Sequence, residues 1–272
     1  MDLGTLETQS TAELFLTLLQ VMDELRGPRG CPWDKKQTPS SLVPCLLEET
    51  YEVIAAIDGG DPQNLREELG DLLLQVVFHS RIASEEKSFE MGDVLRHLIE
   101  KLVRRHPHVF AEGEVQEAEE ALRQWEQIKA REKDPETSLL AGVPLQLPAL
   151  ARAYRLGSKA SRVGFDWPDI EGVLSKVSEE LLELKEGIAL ENQDAVEEEF
   201  GDLLFSLAQV ARFLKINPEE ALRKSTLKFQ RRFERIEKQA QGTGKTLSEL
   251  SPEELDRLWE AAKSFTDSVK NL

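Results

Sequence analysis

The sequence predicts an all-α protein made of two related helical-bundle halves in tandem. Three observations carry that prediction. Glu, Leu, Ala, Arg and Lys dominate a chain of 272 residues that is 31% charged and only 6% aromatic, a composition that favours helix. No stretch alternates apolar and polar residues as a strand does. An ordered set of motifs in the first half returns in the second.

The elements follow in order. Ser10 and Glu13 form a capping box ahead of Leu14, Leu18, Met22 and Leu25 at helical spacing. Gly27 and Pro28 end that helix. Thr38 with Pro39 at the first helical position predicts a helix that runs to Gly59-Gly60. Asp61-Pro62 opens another, to about residue 84. Two more are expected over about 89–106, stopped by Pro107, and about 114–131. Pro135, Pro144, Pro148 and Gly142 mark residues 134–148 as a linker. The expected domains are therefore 1–133 and 149–272, either side of it. The second repeats the plan, with helices over about 149–162, 169–190, 193–215, 218–241 and 252–270. Asn217-Pro218-Glu219-Glu220 and Ser251-Pro252-Glu253-Glu254 each supply a cap, a proline and first-turn acids.

The acids carry the chemistry. Glu49 and Glu52 are followed by Glu68 and Asp71; Glu180 and Glu183 are followed by Glu199 and Asp202, at the same separations. Residues three apart share one helical face. Each glutamate that leads a pair also lies in an apolar stripe: Glu49 between Leu46 and Val53, Glu68 between Leu65 and Leu72, Glu180 between Val177 and Leu184, Glu199 between Val196 and Leu203. An unpaired buried carboxylate costs several kcal/mol or turns neutral. Two such helices face to face gather four carboxylates at a seam, and oxygen-only ligands suit Mg²⁺, Mn²⁺ or Ca²⁺.

The repeat extends beyond the acids. Trp33-Asp34 precedes the first set and Phe165-Asp166 the second. Lys101, Arg104 and Arg105 recur as Lys228, Arg231 and Arg232; Trp125 and Lys129 recur as Trp259 and Lys263. A cationic strip beside a metal cluster suits phosphate oxygens, arginine as a fork and lysine as a point charge. An indole can stack on a base, although a tryptophan in a core is the commoner use.

Other chemistries are disfavoured. A net charge of −17 argues against a sequence-independent grip on nucleic-acid polymers. His79, His97, His106 and His108 form no metal triad, and no ExxH motif supplies the nitrogen ligands of a di-iron bundle. There is no Walker loop, GxGxxG or nucleophile elbow. Cys31 and Cys45 have no zinc spacing and are expected to be free thiols in a reducing cytoplasm. The first ten residues carry no signal-peptide pattern, and no apolar run has membrane length.

With these residues in place, the chain resembles the MazG family of nucleoside triphosphate pyrophosphohydrolases. The supporting segments are Gly30-Cys31-Pro32-Trp33-Asp34, Arg104-Arg105-His106-Pro107-His108-Val109-Phe110, Arg162-Val163-Gly164-Phe165-Asp166-Trp167, Gly201-Asp202-Leu203-Leu204-Phe205 and Lys228-Phe229-Gln230-Arg231-Arg232-Phe233. The resemblance implies an all-α homodimer that converts NTP and water to NMP and diphosphate with Mg²⁺, Mn²⁺ being the alternative, and clears unwanted nucleotides with broad base preference. Carried over by position, it assigns metal to Glu180, Glu183, Glu199 and Asp202, with a second set at Glu49, Glu52, Glu68 and Asp71. Glu179 and Glu198 are implied as supporting acids or bases. Lys176, Lys228, Arg231 and Arg232 are the candidates for phosphate, and Trp259 and Lys263 for the nucleoside. Thr226 stands where the family often has Asn, and Ala195 where it often has Lys; both positions bear on nucleotide contacts.

The halves differ at one position. Lys176 lies four residues before Glu180, whereas Cys45 lies four before Glu49. The second half is therefore expected to carry most activity, and the first to bind metal, hydrolyse slowly or serve dimerisation. Two other functions compete: a related nucleotide phosphohydrolase of the deoxyuridine triphosphatase kind, and a non-enzymatic helical interaction protein that binds cations.

Overall fold

The computed structural model describes residues 3–111, 117–132 and 138–269, with no strand among them. The chain divides into two compact units, Met1–Lys133 and Asp134–Leu272. After a 3₁₀ turn (Leu3–Thr8), the first unit contains α1 (Thr11–Arg26), α2 (Pro32–Lys36), α3 (Val43–Gly59), α4 (Pro62–Glu85), α5 (Met91–Arg105), α6 (Pro107–Phe110) and α7 (Ala118–Arg131). The second contains α8 (Ala149–Ser161), α9 (Ile170–Ala189), α10 (Gln193–Phe213), α11 (Pro218–Gly242), a 3₁₀ turn (Leu247–Glu249) and α12 (Pro252–Val269).

Several boundaries differ from the sequence-based expectation. The helix expected from Pro39 begins at Val43. Thr38 and Ser41 donate their backbone N–H groups to each other's hydroxyls, at 2.9 and 3.1 Å, which closes a turn over these residues instead. Pro32 starts a short helix where none was expected. Pro107 stops α5 but also opens α6, since its fixed φ suits a first turn. The expected starts and ends at 114 and 270 lie outside the described residues, as does 134–137 of the expected linker.

Each unit is organised around a helical hairpin, α3–α4 in the first and α9–α10 in the second. Both turns need one residue at positive φ. Gly60 takes it at 67° in the first, without a steric cost. Glu191 takes it at 52° in the second, where a side chain makes the conformation costly. Side-chain caps then start the return helices: Asp61 accepts from the Gln63 amide and Asn192 from the Ala195 amide.

Behind the first hairpin, Met22, Leu42, Val77, Phe78 and Ile82 form a core flanked by Leu18, Leu19 and Leu74. In the second unit a polar group does part of this work. Gln209 is fully buried on α10, donates to the Ala153 carbonyl of α8 at 3.0 Å and accepts from Arg212 Nε at 2.9 Å. A Cβ on Gly157 would stand 1.8 Å from Gln209 Oε1, so any larger residue there would displace the Gln209 amide and its hydrogen bonds. Arg212 also grips the Asp166 carboxylate with both terminal nitrogens, at 2.5 and 2.9 Å. That clamp ties the segment before α9 to α10.

Candidate active site

The hairpins deliver the acids as pairs because helical pitch aligns positions three apart. In the second unit, Glu180, Glu199 and Asp202 offer carboxylate oxygens within 4.8 Å of one another. Glu179, Glu180 and Glu183 do the same. Glu180 belongs to both groups and is buried, at 2% exposure. Glu199 is half-buried, and partial burial, then the Glu183 carboxylate and a hydrogen bond with Glu180, push it above its ordinary range. Glu198 is exposed and stands outside both groups.

In the first unit Glu49, Glu52 and Glu68 cluster within the same distance. Asp71, expected with them, falls outside the group of three, although its charge is felt by Glu49 and Glu68. Glu49 is pushed up by partial burial, then by Asp71 and Glu52; Glu68 by partial burial, then by Glu52 and Asp71. All eight residues flanking the four stripe glutamates are themselves half-buried, as a seam between helices requires. Hard oxygen donors, mutual repulsion and a buried shared carboxylate fit a divalent cation in the second unit.

One cation already lies there. Lys176 Nζ is 2.5 Å from Glu180 Oε1 and 2.7 Å from Glu179 Oε1. Hydrogen bonds to Glu179 and Glu180 push its ammonium above the usual lysine range.

The other candidates form a second group on α11 and α12, which pack on each other. Trp259 is boxed by Phe229 at 5.3 Å between ring centroids, by the Arg232 guanidinium at 5.9 Å and by the Lys263 ammonium at 5.8 Å. Lys263 also pairs with Glu260 at 2.5 Å. Among the described residues neither Lys228 nor Arg231 makes an ion pair. Phe229 joins this group through packing; along the sequence only its i+4 relation to Phe233, with rings 6.0 Å apart, marks it.

The first unit treats the equivalent arginines differently, while Lys101, like Lys228, makes no ion pair among the described residues. Glu132 binds Arg105 at 2.5 Å and Arg104 at 2.8 Å. Those bonds, Arg105 first, hold the Glu132 carboxyl down at about 2. Trp125 is flanked by Arg105 at 5.4 Å and Lys129 at 4.8 Å. Sequence gave no sign of Glu132, because its partners are far from it along the chain.

The MazG nucleotide pyrophosphohydrolase domain matches residues 37–110 and again 169–236, the two stretches that contain the acid hairpins. The chain belongs to the MazG family. A relative from Thermotoga maritima, the nucleoside triphosphate pyrophosphohydrolase/pyrophosphatase MazG, is 51% identical over 92% of this chain and 96% of its own length. The nucleoside triphosphate pyrophosphohydrolase of Escherichia coli K12 is 43% identical over 90% of this chain and 95% of its own. A crystal structure of a mazG-related protein from Thermotoga maritima aligns at 30% identity and a TM-score of 0.37, over 42% of this chain and 98% of that one. Both MazG domains thus contain an acidic hairpin, but only the second has a lysine on it.

Proposed function

We propose that the protein hydrolyses nucleoside triphosphates to the monophosphate and diphosphate, and that the second unit carries the reaction. The observation that carries this reading is the buried Glu180, shared by two three-acid groups and followed on α11 by Lys228 and Arg231, which make no ion pair among the described residues. Full-length MazG relatives named for that activity support it. Glu180, Glu183, Glu199 and Asp202 are the residues to hold Mg²⁺, with Mn²⁺ as the alternative, as their all-oxygen donor set suits. A cation bound there would supply charge neutralisation for the phosphates and a lowered pKa for water.

The chain's own residues supply the rest. Lys176, Lys228, Arg231 and Arg232 receive phosphate oxygens, and Lys228 and Arg231 do so without first breaking an ion pair. Trp259, held by Phe229, Arg232 and Lys263, offers a face to the base. Stacking reads every base by its π-face, which fits a broad preference and a role in clearing nucleotide pools. Glu179 and Glu198, both exposed, are the candidates for supporting acid or for the base that takes a proton from water.

A homodimer suits the outer surface of the second hairpin. Leu181 and Leu182 on α9 and Phe200, Leu204 and Phe205 on α10 are all exposed in one chain. A second copy is the occupant we assign to that skin, and Phe205→Asp is expected to give monomers on sedimentation. Free Cys31 and Cys45 fit a cytoplasmic setting. No helix among the described residues is long and apolar enough to cross a membrane.

The test is product analysis of NTP hydrolysis in ¹⁸O-water with and without Mg²⁺. NMP and diphosphate with metal dependence are expected. NDP and orthophosphate would overturn the assignment.

A further inference from the structure

Glu180 is the one carboxylate common to both acid groups of the second unit, and it is already engaged. Lys176 reaches it from one turn earlier on α9 and touches Glu179 as well, at 2.5 and 2.7 Å. The Glu180 side chain is 3% exposed and that of Lys176 36% exposed. The ammonium therefore stands at the rim of the cluster, with its carboxylate partner inside and solvent outside. A lysine head on a four-carbon stem can change partners by rotamer alone, and its three donors suit either a carboxylate or a phosphate.

We propose that Lys176 is the resident counter-ion of the second acidic cluster, occupying the shared carboxylate until a triphosphate draws it outward, so that cation and substrate load together. This rests on the reading of that cluster as the metal site of a triphosphatase. The physical reasoning concerns competition. A buried carboxylate that loses its only cation is strongly destabilised, so Lys176 is held in place when no other charge is present. A divalent cation arriving alone must displace an ion pair already made. A triphosphate offers the departing ammonium new oxygens, so the two ligands favour each other's binding. Coupling of that kind is reciprocal: the cation tightens the triphosphate as much as the triphosphate tightens the cation. The device also limits what the empty site holds. Without substrate, the shared carboxylate is paired by the chain itself rather than by whichever metal is abundant.

The experiment uses the full-length chain with Glu49→Gln and Glu68→Gln, which silences the first cluster. Mn²⁺ is titrated without nucleotide and free ion followed by EPR, with Lys176 intact and with Lys176→Met. Met keeps the apolar stem and removes the competitor. The affinity is expected to rise roughly tenfold in Lys176→Met, equivalent to about 1.4 kcal/mol. A second measurement needs no change at Lys176. Limited acylation with acetic anhydride is read by mass spectrometry, and Lys176 labelling is expected to increase several-fold when saturating Mn²⁺ releases the amine. An affinity within roughly twofold of the parent, or labelling unchanged by Mn²⁺, overturns the proposal. If the protein still releases diphosphate in a metal-dependent way, only the role of Lys176 has failed. If neither form binds Mn²⁺ and no diphosphate is released, the metal-site reading has failed with it.

Discussion

The two halves present the same four acids on the same kind of helical hairpin, yet they differ in the cations left to meet an anion. In the second, Lys176 stands on the cluster, and Lys228 and Arg231 have no ion-pair partner among the described residues. In the first, Cys45 replaces the lysine, and Glu132 takes Arg104 and Arg105. Under the proposed function, the repeated acidic motif repeats a cation site, while the side chains suited to phosphate differ between the halves. Glu132 occupies two of the three cations of that strip, Lys101 being the third, and a charge-assisted fork with good geometry must be broken before another anion is bound.

The largest expected effect tests that division directly. Glu180→Ala should lower diphosphate release by about a thousandfold or more, as removal of a metal ligand and its charge stabilisation does, whereas Glu49→Ala should leave most of it. Steady-state assays of the two variants decide; the reverse ranking breaks the comparison. Next comes the aromatic box. Trp259→Ala is expected to raise KM for NTP by roughly tenfold with a smaller change in kcat, from the energy of one stacked base. Trp125→Ala should change neither.

A gain of function is the sharper and smaller test. In the Glu180→Ala background, Cys45→Lys with Glu132→Gln should raise residual hydrolysis by a few-fold, about what one restored cation and one released arginine pair supply. No gain would mean that the first hairpin lacks more than its cations.

The raised carboxyls of both clusters give a pH signature. Glu49, Glu68 and Glu199 bind a proton more tightly in the fold than unfolded. Their favourable contribution is therefore present at low pH and lost as pH rises through the raised values. Mg²⁺ needs the ionised forms, so its thermal stabilisation of the protein should be larger at about pH 7.5 than at about pH 5, by a few degrees in calorimetry. The Glu49→Gln/Glu68→Gln chain separates the second cluster's share from the first's. The smallest effect concerns the turns. Glu191→Gly should stabilise the second hairpin by about 1 kcal/mol in urea unfolding, because it relieves the φ of 52° that Gly60 adopts freely in the first.

Much of this was legible along the chain. The caps at Ser10, Asp61, Asn192 and Asn217 start helices where the sequence places them. The Lys176–Glu180 contact is an i,i+4 pair, and Glu180 shares a face with Glu183 by the same pitch. Such relations need only a helix to exist. The start of α3 at Val43 differs from that expected at Pro39, since Thr38 and Ser41 use their side chains to close a turn and a proline suits turn and helix alike.

The sequence by itself determined the helices, their duplication and the acids each hairpin carries, because these depend on periodicity within a single segment. Only the tertiary structure decided that Glu180 is shared by two groups while Asp71 falls outside one, that Glu132 holds Arg104 and Arg105, and that Phe229, Arg232 and Lys263 surround Trp259. Apart from Trp259 and Lys263, one turn apart on α12, those relations join residues on different segments of the chain. They are set by how deeply and at what angle the helices pack, and steps as local as the Gly157–Gln209 approach control that packing.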